Sequence, residues 1–402
     1  MKRLFLFIAA LCCVTMMQAE TVYGDCGASM EWEFNTGSGA LYLIGTGPMN
    51  NYFYAETPWK DYEGQIVSIL KDSRSQYTRI GGYAFDNCKS LETVELPNTV
   101  DTINIGAFSM CSYLSKVTLS NTLRLIGANA FAGDISLTSI ALPTSLKGIG
   151  TQAFWNCAGL NTVTIPAYVE QIGAGAFSNC QNLEMINVEP NNKNYCSLSG
   201  VLFTKDQARL CGVPGRLEGE YTIPSTVTEI EKHAFSHCQK LTKIIFPTSV
   251  KWIYDNAFYG CKMQSMELNE GLLSLGMNVF SYCNELTSLT LPSTLEEIKG
   301  YCFSNCTKLT SITCKATTPP TCSEAFNGFD QSACKLYVPQ SALEVYKENE
   351  YWKKFGAILP IDQGIDQITQ EQSAISNKTI KDGQIYILRG SSTYTLTGQE
   401  VK

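Results

Sequence analysis

Apolar and polar positions along the chain repeat with a period of about 23 residues. An Ala-Phe pair marks the first copies, and its phenylalanines stand 23 residues apart, at Phe85, Phe108, Phe131, Phe154 and Phe177. The pattern resumes in steps of 22 or 23 residues at Phe235, Phe258, Phe280, Phe303 and Phe326. A fixed period of this size indicates a stacked array in which each unit buries its apolar positions against its neighbours.

Each copy holds two apolar phrases and a marker segment. The first phrase alternates apolar and polar residues, as in Leu91, Val94 and Leu96, which predicts a short strand. The second phrase, as in Val100 and Ile103, predicts another short strand. Around the marker phenylalanine, an apolar spacing of three predicts one or two turns of α- or 3₁₀-helix. The prediction is a repeat solenoid of the leucine-rich-repeat class, with a parallel β-sheet on one face and short helix or 3₁₀ turns on the other.

Segments outside the array depart from the repeat, and an open stack needs atypical units to cover its ends. Residues 20–77 read as β-strands around a Gly-Ser turn, and residues 334–360 contain a strand followed by a helix. We predict a β N-cap and a helical C-cap. The predicted organisation is a signal peptide (1–19), the N-terminal cap (20–77), the repeats (78–333), the C-terminal cap (334–360), a polar linker (361–379) and a C-terminal β-hairpin (380–402).

The N-terminus has the features of a secretory signal peptide. Two basic residues precede an apolar run from Leu4 to Met17, and the small Ala19 offers a cleavage site. A retained anchor is the alternative, although the run is short for a spanning helix. No later stretch is long and apolar enough to predict a transmembrane segment.

One interruption separates the two blocks of repeats. Residues 191–219 carry the surplus, and their apolar phrases predict a β-hairpin that turns at Asp206-Gln207. Insertions in solenoids often form a functional loop, but a neutral decoration explains the segment equally well. Cys196 and Cys211 could form a disulfide across this hairpin.

Most cysteines occupy one column of the repeat, three residues after the marker phenylalanine. The column contains Cys88, Cys111, Cys157, Cys180, Cys238, Cys261, Cys283 and Cys306. Asp134 and Phe329 fill the same position in two copies, so no sulfur chemistry is required there. We predict that these cysteines are small buried apolar residues.

Charge and composition exclude several classes of function. The 402 residues carry a net charge of −7 with a pI near 5.1, whereas nucleic-acid binders usually present a basic surface. The two histidines, His233 and His237, form H-x-x-x-H-C with Cys238, a pattern that suggests zinc. Because all three occupy ordinary positions of the repeat, we predict no metal site. No nucleophile or phosphate-loop motif is present, and neither catalytic residues nor a cofactor are predicted.

Polar positions between the inward columns predict a strip along the sheet. Side chains alternate across a strand, so these residues should lie side by side and outward. The candidate binding strip consists of Thr93, Glu95, Lys116, Thr118, Ser139, Thr162, Thr164, Met185, Asn187, Lys243, Ile245, Ser265, Glu267, Ser288 and Thr290. A solvated sheet surface with β-favouring threonines is the alternative interpretation.

A second polar column follows the first phrase. Hydroxyl residues recur three positions after its last apolar residue, and we predict that they hydrogen-bond to the turning backbone. They are Thr99, Thr122, Ser145, Thr226, Ser249 and Thr294.

The recurring I-G-x-x-A-F-x-x-C-x-x-L-x-x-V-x-L-P, as in residues 149–166, resembles the BspA-type leucine-rich-repeat family of bacterial surface proteins. The phrase Ser199-Gly200-Val201-Leu202-Phe203 is also usual in that family. The C-terminal segment, with Tyr386-Ile387 and residues 394–399, resembles a short sorting tail of bacteria with a type IX secretion system. The resemblance implies export and binding to matrix proteins or other cells.

Together these features predict a secreted, cell-surface or outer-membrane-associated binding or adhesion protein rather than an enzyme. Its expected partner is an extracellular or host protein, or a glycan, and no nucleic acid. The alternative is a structural scaffold of the envelope without a dedicated ligand.

Overall fold

The computed structural model describes residues 19–53 and 56–361, and the backbone of residues 377–381, 384–389, 392–395 and 400–401. The predicted signal peptide before Ala19 and the predicted linker from residue 362 to 376 lie outside the described residues. The described chain forms a parallel-strand β-solenoid of about 13 turns with few helices. The predicted leucine-rich-repeat solenoid is therefore confirmed.

The array begins with strands that are partly antiparallel. They are β1 (Thr21–Gly27), β2 (Met30–Asn35), β3 (Ala40–Pro48), β4 (Ser68–Leu70) and β5 (Ser75–Ile80). β1, β2 and β3 pair antiparallel, whereas the two ends of β3 pair parallel with β4 and with β5. One strand therefore starts two separate parallel ladders. A short 3₁₀-helix, Lys60–Tyr62, precedes β4.

Most of the following copies add one strand to each ladder, but the copy of Phe131 adds a strand to only one of them. The strands are β6 (Thr93–Glu95), β7 (Thr102–Ile103), β8 (Lys116–Thr118), β9 (Leu125–Ile126), β10 (Gly148–Ile149), β11 (Thr162–Ile165), β12 (Gln171–Ile172) and β13 (Met185–Val188). We call the ladder that starts with β4, β6 and β8 the long-strand ladder, and the ladder of β5, β7, β9, β10 and β12 the short-strand ladder. The second apolar phrase thus forms the second strand predicted for it.

The interrupted copy is built into the stack. It contains β14 (Tyr195–Leu198), β15 (Val201–Thr204), β16 (Arg209–Gly212) and β17 (Gly219–Thr222). β15 pairs antiparallel with β14 and β16, while β16 pairs parallel with the next strand of the short-strand ladder. The Val213 N–H donates to the Ala234 carbonyl at 2.8 Å, a bond that Phe154 makes to Ala176 in a regular copy. The segment is therefore a modified turn of the solenoid and not an external decoration.

The second block continues the short-strand ladder to Ile298 and the long-strand ladder to Pro360. Its strands are β18 (Glu229–Ile230), β19 (Leu241–Ile245), β20 (Trp252–Ile253), β21 (Ser265–Glu267), β22 (Ser274–Leu275), β23 (Ser288–Leu291), β24 (Glu297–Ile298), β25 (Ser311–Cys314), β26 (Lys335–Val338) and β27 (Ala357–Pro360). Between β25 and β27 lie the helix α1 (Leu343–Glu348) and 3₁₀ segments at Gln331–Ala333, Gln340–Ala342 and Trp352–Lys354. Tyr346 and Trp352 are fully buried against the last turns.

The marker segments are chains of turns, which corrects the predicted helix or 3₁₀ segments. Cys88 N–H donates to Phe85 O at 3.2 Å, and Leu91 N–H to Cys88 O at 3.1 Å, which gives the apolar spacing of three. The residue between Phe85 and Cys88, Asn87, has a φ of 62°. A left-handed residue in every segment prevents a right-handed helix from forming.

The core is a stack of aromatic rings in two blocks. From Trp59 through Phe85 to Phe177, successive ring centroids lie 4.9–5.4 Å apart in parallel planes. From Phe235 to Phe326 the spacing is 4.9–6.0 Å. The buried residues form two apolar clusters that meet at β15: Leu202 belongs to the first, and Val201 and Phe203 belong to the second.

The described backbone of the C-terminal segment has four antiparallel strands rather than the two of the predicted hairpin. They are β28 (Asn377–Lys381), β29 (Gln384–Arg389), β30 (Ser392–Thr395) and β31 (Glu400–Val401). β28 begins at Asn377, inside the predicted linker. The linker was predicted to extend to residue 379 because the Asn-Lys-Thr sequence at the start of β28 is polar and gives no apolar strand signal.

Candidate binding surface

The long-strand ladder brings most of the candidate strip into register. Thr162 and Thr164 pair with Met185 and Asn187 of the next turn, as Thr93 and Glu95 pair with Lys116 and Thr118. In the second block, Ser265 and Glu267 pair with Ser288 and Thr290. All these side chains are exposed or half-buried, while the residues between them are mostly buried. The pairing follows from the fixed period, since each turn places the same position on the same site.

The ladder is interrupted, and the strip with it. Among the described residues it has four parts: β4, β6 and β8; β11 and β13; β17 and β19; and β21, β23, β25, β26 and β27. Residues 137–142 form no strand, and this segment contains Ser139. The Ser139 side chain is exposed, but it does not belong to the ladder. The strip is therefore a series of short surfaces rather than one continuous band.

Glu220 and Thr222 belong to the strip, although sequence reasoning missed them. They pair with Lys243 and Ile245 across β17 and β19. The sequence Gly-Glu-Tyr-Thr of β17 lacks the Leu-x-x-Val spacing of the other copies. The repeat pattern therefore did not show which residues of β17 align with the strip. Its signal was only the alternation of an ordinary strand.

Some charges of the strip are in ion pairs, either within it or with the neighbouring Lys315. Lys243 Nζ lies 3.6 Å from a Glu220 carboxylate oxygen, and Lys315 Nζ lies 3.0 Å from Glu267. Both pairs are largely exposed, so each contributes little to stability, about 0–1 kcal/mol. The surface offered to a partner is nearly neutral and rich in hydroxyl groups.

A cleft opens in the strip where β19 and β21 belong to different parts of the ladder. Its volume is about 410 Å³, and its lining includes Ile245, Phe246, Ser265, Glu267 and Lys315. Ile245 is 40% exposed. The cleft is lined by both apolar and polar side chains.

The modified turn encloses a second, smaller space of about 100 Å³. Arg209 on its wall contacts Glu229 at 2.6 Å and Glu231 at 2.9 Å. Small-molecule sites usually measure about 300–1,000 Å³, so this space is too small for an ordinary ligand. The ion pairs join β16 to the following turn.

The cysteine column is a structural device. Six of its eight thiols donate to the carbonyl of the marker phenylalanine one copy earlier, as from Cys157 to Phe131 at 3.0 Å and from Cys261 to Phe235 at 3.1 Å. Burial raises the pKa of the Cys180 and Cys238 thiols to about 12. Nucleophilic and metal-binding cysteines need the thiolate, and these thiols remain protonated.

Cys196 and Cys211 lie on β14 and β16 and are half-buried free thiols in the structure. Burial raises the pKa of both thiols, that of Cys211 to about 12. A disulfide between them stays a prediction, which intact mass under non-reducing conditions would test.

Both histidines stand at left-handed backbone positions, His233 with φ 60° and His237 with φ 59°. Burial lowers the pKa of each imidazole. Among the described residues, no group of three or more His, Cys, Asp or Glu side chains is placed to hold a metal ion.

Five of the six residues of the hydroxyl column form the predicted bonds to the backbone, and for Thr226 the bond stays a prediction. Thr99, Ser145 and Ser249 each donate at 2.7 Å to a carbonyl of the preceding copy. Thr122 and Thr294 donate similarly at 2.7 and 2.8 Å. These five residues therefore tie successive turns together and are not available to a ligand through their protons.

No helix in the described part of the chain is both long and apolar enough to cross a membrane.

Comparison with known proteins gives one family and several related folds. Residues 78–199 and 219–332 match the BspA type Leucine rich repeat region, in six copies. A solved leucine-rich repeat protein from Eubacterium ventriosum ATCC 27560 superposes with a TM-score of 0.63 and 24% identity, covering 85% of this chain and 93% of that chain. A leucine rich cell surface protein from Faecalibacterium prausnitzii A2-165 gives 0.55 and 23%, covering 86% and 95%. No curated protein matches the sequence significantly.

Proposed function

Because this chain belongs to the BspA-type leucine-rich-repeat family, we propose that it is an exported binding or adhesion protein of the bacterial surface. The long-strand ladder would be the surface that meets an extracellular or host protein, or a glycan. The observation that carries this proposal is the register of the strip, which sets uncovered polar side chains of successive turns beside each other.

The strip suits contact at many weak points. Its backbone is fixed by the ladder hydrogen bonds, so binding would cost little conformational entropy. Met185 and Ile245 are exposed by 43% and 40% and offer apolar contact in two separate parts of the strip. Few Trp, Tyr or Arg anchors are present there, so the binding energy would be spread over several turns.

Several features support an extracellular location. The N-terminal sequence has the composition of a signal peptide, and one solved structure with the same fold is described as a cell surface protein. The C-terminal segment would serve as a sorting signal. Binding rather than catalysis is the proposed activity, because the buried thiols are protonated and the sequence contains no nucleophile or phosphate-loop motif.

Two substitutions on the strip test the proposal against one elsewhere. Thr164→Arg and Thr290→Arg each place a long cation on the strip and should weaken a partner about tenfold or more by steric and charge mismatch. Leu125→Arg, at an exposed position of the short-strand ladder, is the matched control and should bind normally. Immobilised matrix proteins and intact host cells serve as partners, and protease treatment of intact bacteria measures surface exposure.

An envelope scaffold is the second candidate function. The observation that favours it is the internal pairing of charges on the strip, as between Lys243 and Glu220, which leaves little charge to attract a partner. A protein that resists protease on intact cells and binds none of the immobilised partners would support the scaffold and contradict adhesion.

A further inference from the structure

We propose that a groove formed by His237, Tyr259 and Tyr282 binds a sugar ring of a neutral glycan. These side chains come from the marker segments of three successive copies and lie on neither ladder. The site is therefore separate from the strip to which the proposed function is assigned.

The three rings form one aromatic surface. The His237 and Tyr259 ring centroids lie 5.4 Å apart at an interplanar angle of 66°, and the Tyr259 and Tyr282 centroids lie 5.2 Å apart at 44°. Tyr282 is 48% exposed. The groove measures about 340 Å³, within the range of about 300–1,000 Å³ that small-ligand sites occupy.

The backbone at this surface holds aromatic residues where the fold favours others. His237 and Tyr282 have φ values of 59° and 60°, a left-handed conformation that costs most residues energy. The same position holds Asn87, Asn156, Asn179 and Asn305 in other copies, because asparagine tolerates this conformation. Two aromatic residues at unfavourable positions, both lining the same groove, indicate that the groove itself has a role.

Gly260 makes room for the histidine ring. It occupies the same left-handed position in the copy between His237 and Tyr282, with φ 68°. A Cβ atom there would lie 2.7 Å from both Cε1 and Nδ1 of His237, closer than atoms can approach. The imidazole therefore packs over a glycine that leaves the ring its place in the groove.

The polar groups of the groove suit a neutral polyol. Gln239 and Asn284 line it with amide groups, which both donate and accept hydrogen bonds. The Glu285 carboxylate is already paired with Lys308 at 2.7 Å, so it adds an acceptor without a strong net charge. Burial lowers the pKa of His237, which keeps its ring neutral near pH 7.

A pyranose fits these groups better than a cation does. The C–H face of a sugar ring is slightly positive and meets the negative face of an aromatic ring, while its hydroxyls reach the amides. Quaternary ammonium ligands also use aromatic surfaces, but Lys262 lines the groove and would repel them.

A glycan array probed with the full chain gives the first test, and the affinity of the strongest array sugar is then measured by calorimetry. Tyr282→Asn and His237→Asn install the residue that other copies use at this position, so the backbone should be preserved. Each should weaken the sugar about tenfold or more, the scale of one aromatic contact. Met110→Asn is the matched control, since Met110 is 49% exposed at the same position of the first block with φ 60°.

Several results would overturn the proposal. The first is that no glycan on the array binds the protein. The second is that Tyr282→Asn binds the sugar with the same affinity as the unmodified protein. The third is that the protein binds choline and no sugar. If Thr290→Arg abolishes sugar binding and Tyr282→Asn does not, the glycan binds to the strip. That result would support the proposed function instead of the groove. Loss in Tyr282→Asn with normal binding in Thr290→Arg supports the groove, whatever the strip binds.

Discussion

Each copy contributes one buried side chain three residues after its marker phenylalanine, and in most copies it is a cysteine. The thiol is small enough for the core, and in most of these copies it also donates to the marker carbonyl one copy earlier, as between Cys306 and Phe280 at 3.0 Å. The sequence predicted the burial from the column alone. It did not predict the hydrogen bond, because the acceptor lies one copy earlier in the chain and its position depends on how the turns stack.

Asp134 is the one acidic residue in this column, and it should cost stability near neutral pH. Its side chain is fully buried; Oδ1 accepts the Cys111 N–H at 2.9 Å, and Oδ2 has no partner among the described residues. Burial raises its pKa well above the ordinary value. Above about pH 4 the unfolded chain releases this proton while the folded chain retains it, so stability falls as pH rises through that interval.

We expect Asp134→Cys to stabilise the protein by about 1–3 kcal/mol near pH 7.5, with a smaller gain near pH 4. The free energy of unfolding in urea at the two pH values measures this. Asp101→Asn removes an exposed carboxylate and serves as the control, with little effect at either pH. An equal gain from Asp134→Cys at both pH values would contradict the assignment to the buried carboxyl.

At the scale of elements, the strands follow the apolar phrases and the turns follow backbone conformation. The strands and the Leu, Val, Phe and Cys columns could be read from the period. The turns around the marker phenylalanine could not be predicted from the period. A turn with Asn or Gly in the left-handed conformation has the same apolar spacing of three as a short helix. β17 was missed for a related reason, since its Glu220 and Thr222 lack the repeated phrase.

β15 separates the two apolar clusters, and alternate residues of this strand should stabilise different blocks. Leu202→Ala should lower the free energy of unfolding by about 2–5 kcal/mol and destabilise the turns before β15. Phe203→Ala should lower it by about 3–5 kcal/mol and destabilise the turns after β15. Hydrogen exchange read separately for residues 85–177 and 235–326 measures both. Leu198→Ala, at an exposed position, is the control, and equal loss in both blocks from either core variant would contradict the division.

At the scale of the whole molecule, the solenoid has more turns than its marker phenylalanines suggest. β3, β4 and β5 start both ladders before the first marker, and β26 and β27 extend the long-strand ladder after the last. The sequence predicted caps in these regions because their spacing is irregular. Backbone pairing needs no repeated side chain, so the stack continues where the repeat is no longer visible.

Two clusters that meet at one strand should unfold separately. In a repeat stack, stability is close to a sum of local and nearest-neighbour terms, so a weak junction divides the cooperative unit. We expect two urea midpoints, one for residues 85–177 and one for residues 235–326, when exchange protection is followed in each block. A single coincident transition would show that the Arg209 ion pairs and β15 couple the blocks fully.

The buried thiols also have a consequence for the order of folding and thiol oxidation. All 15 cysteines of the described chain are free, and 13 of them are buried. Neighbouring turns lie about 4.8 Å apart, inside the range of about 4.4–6.8 Å over which Cα atoms can be joined by a disulfide. A chain that met an oxidant before its turns had closed could link the wrong copies together. If the chain is exported as proposed, its turns must therefore close faster than its thiols are oxidised for the cysteines to remain reduced.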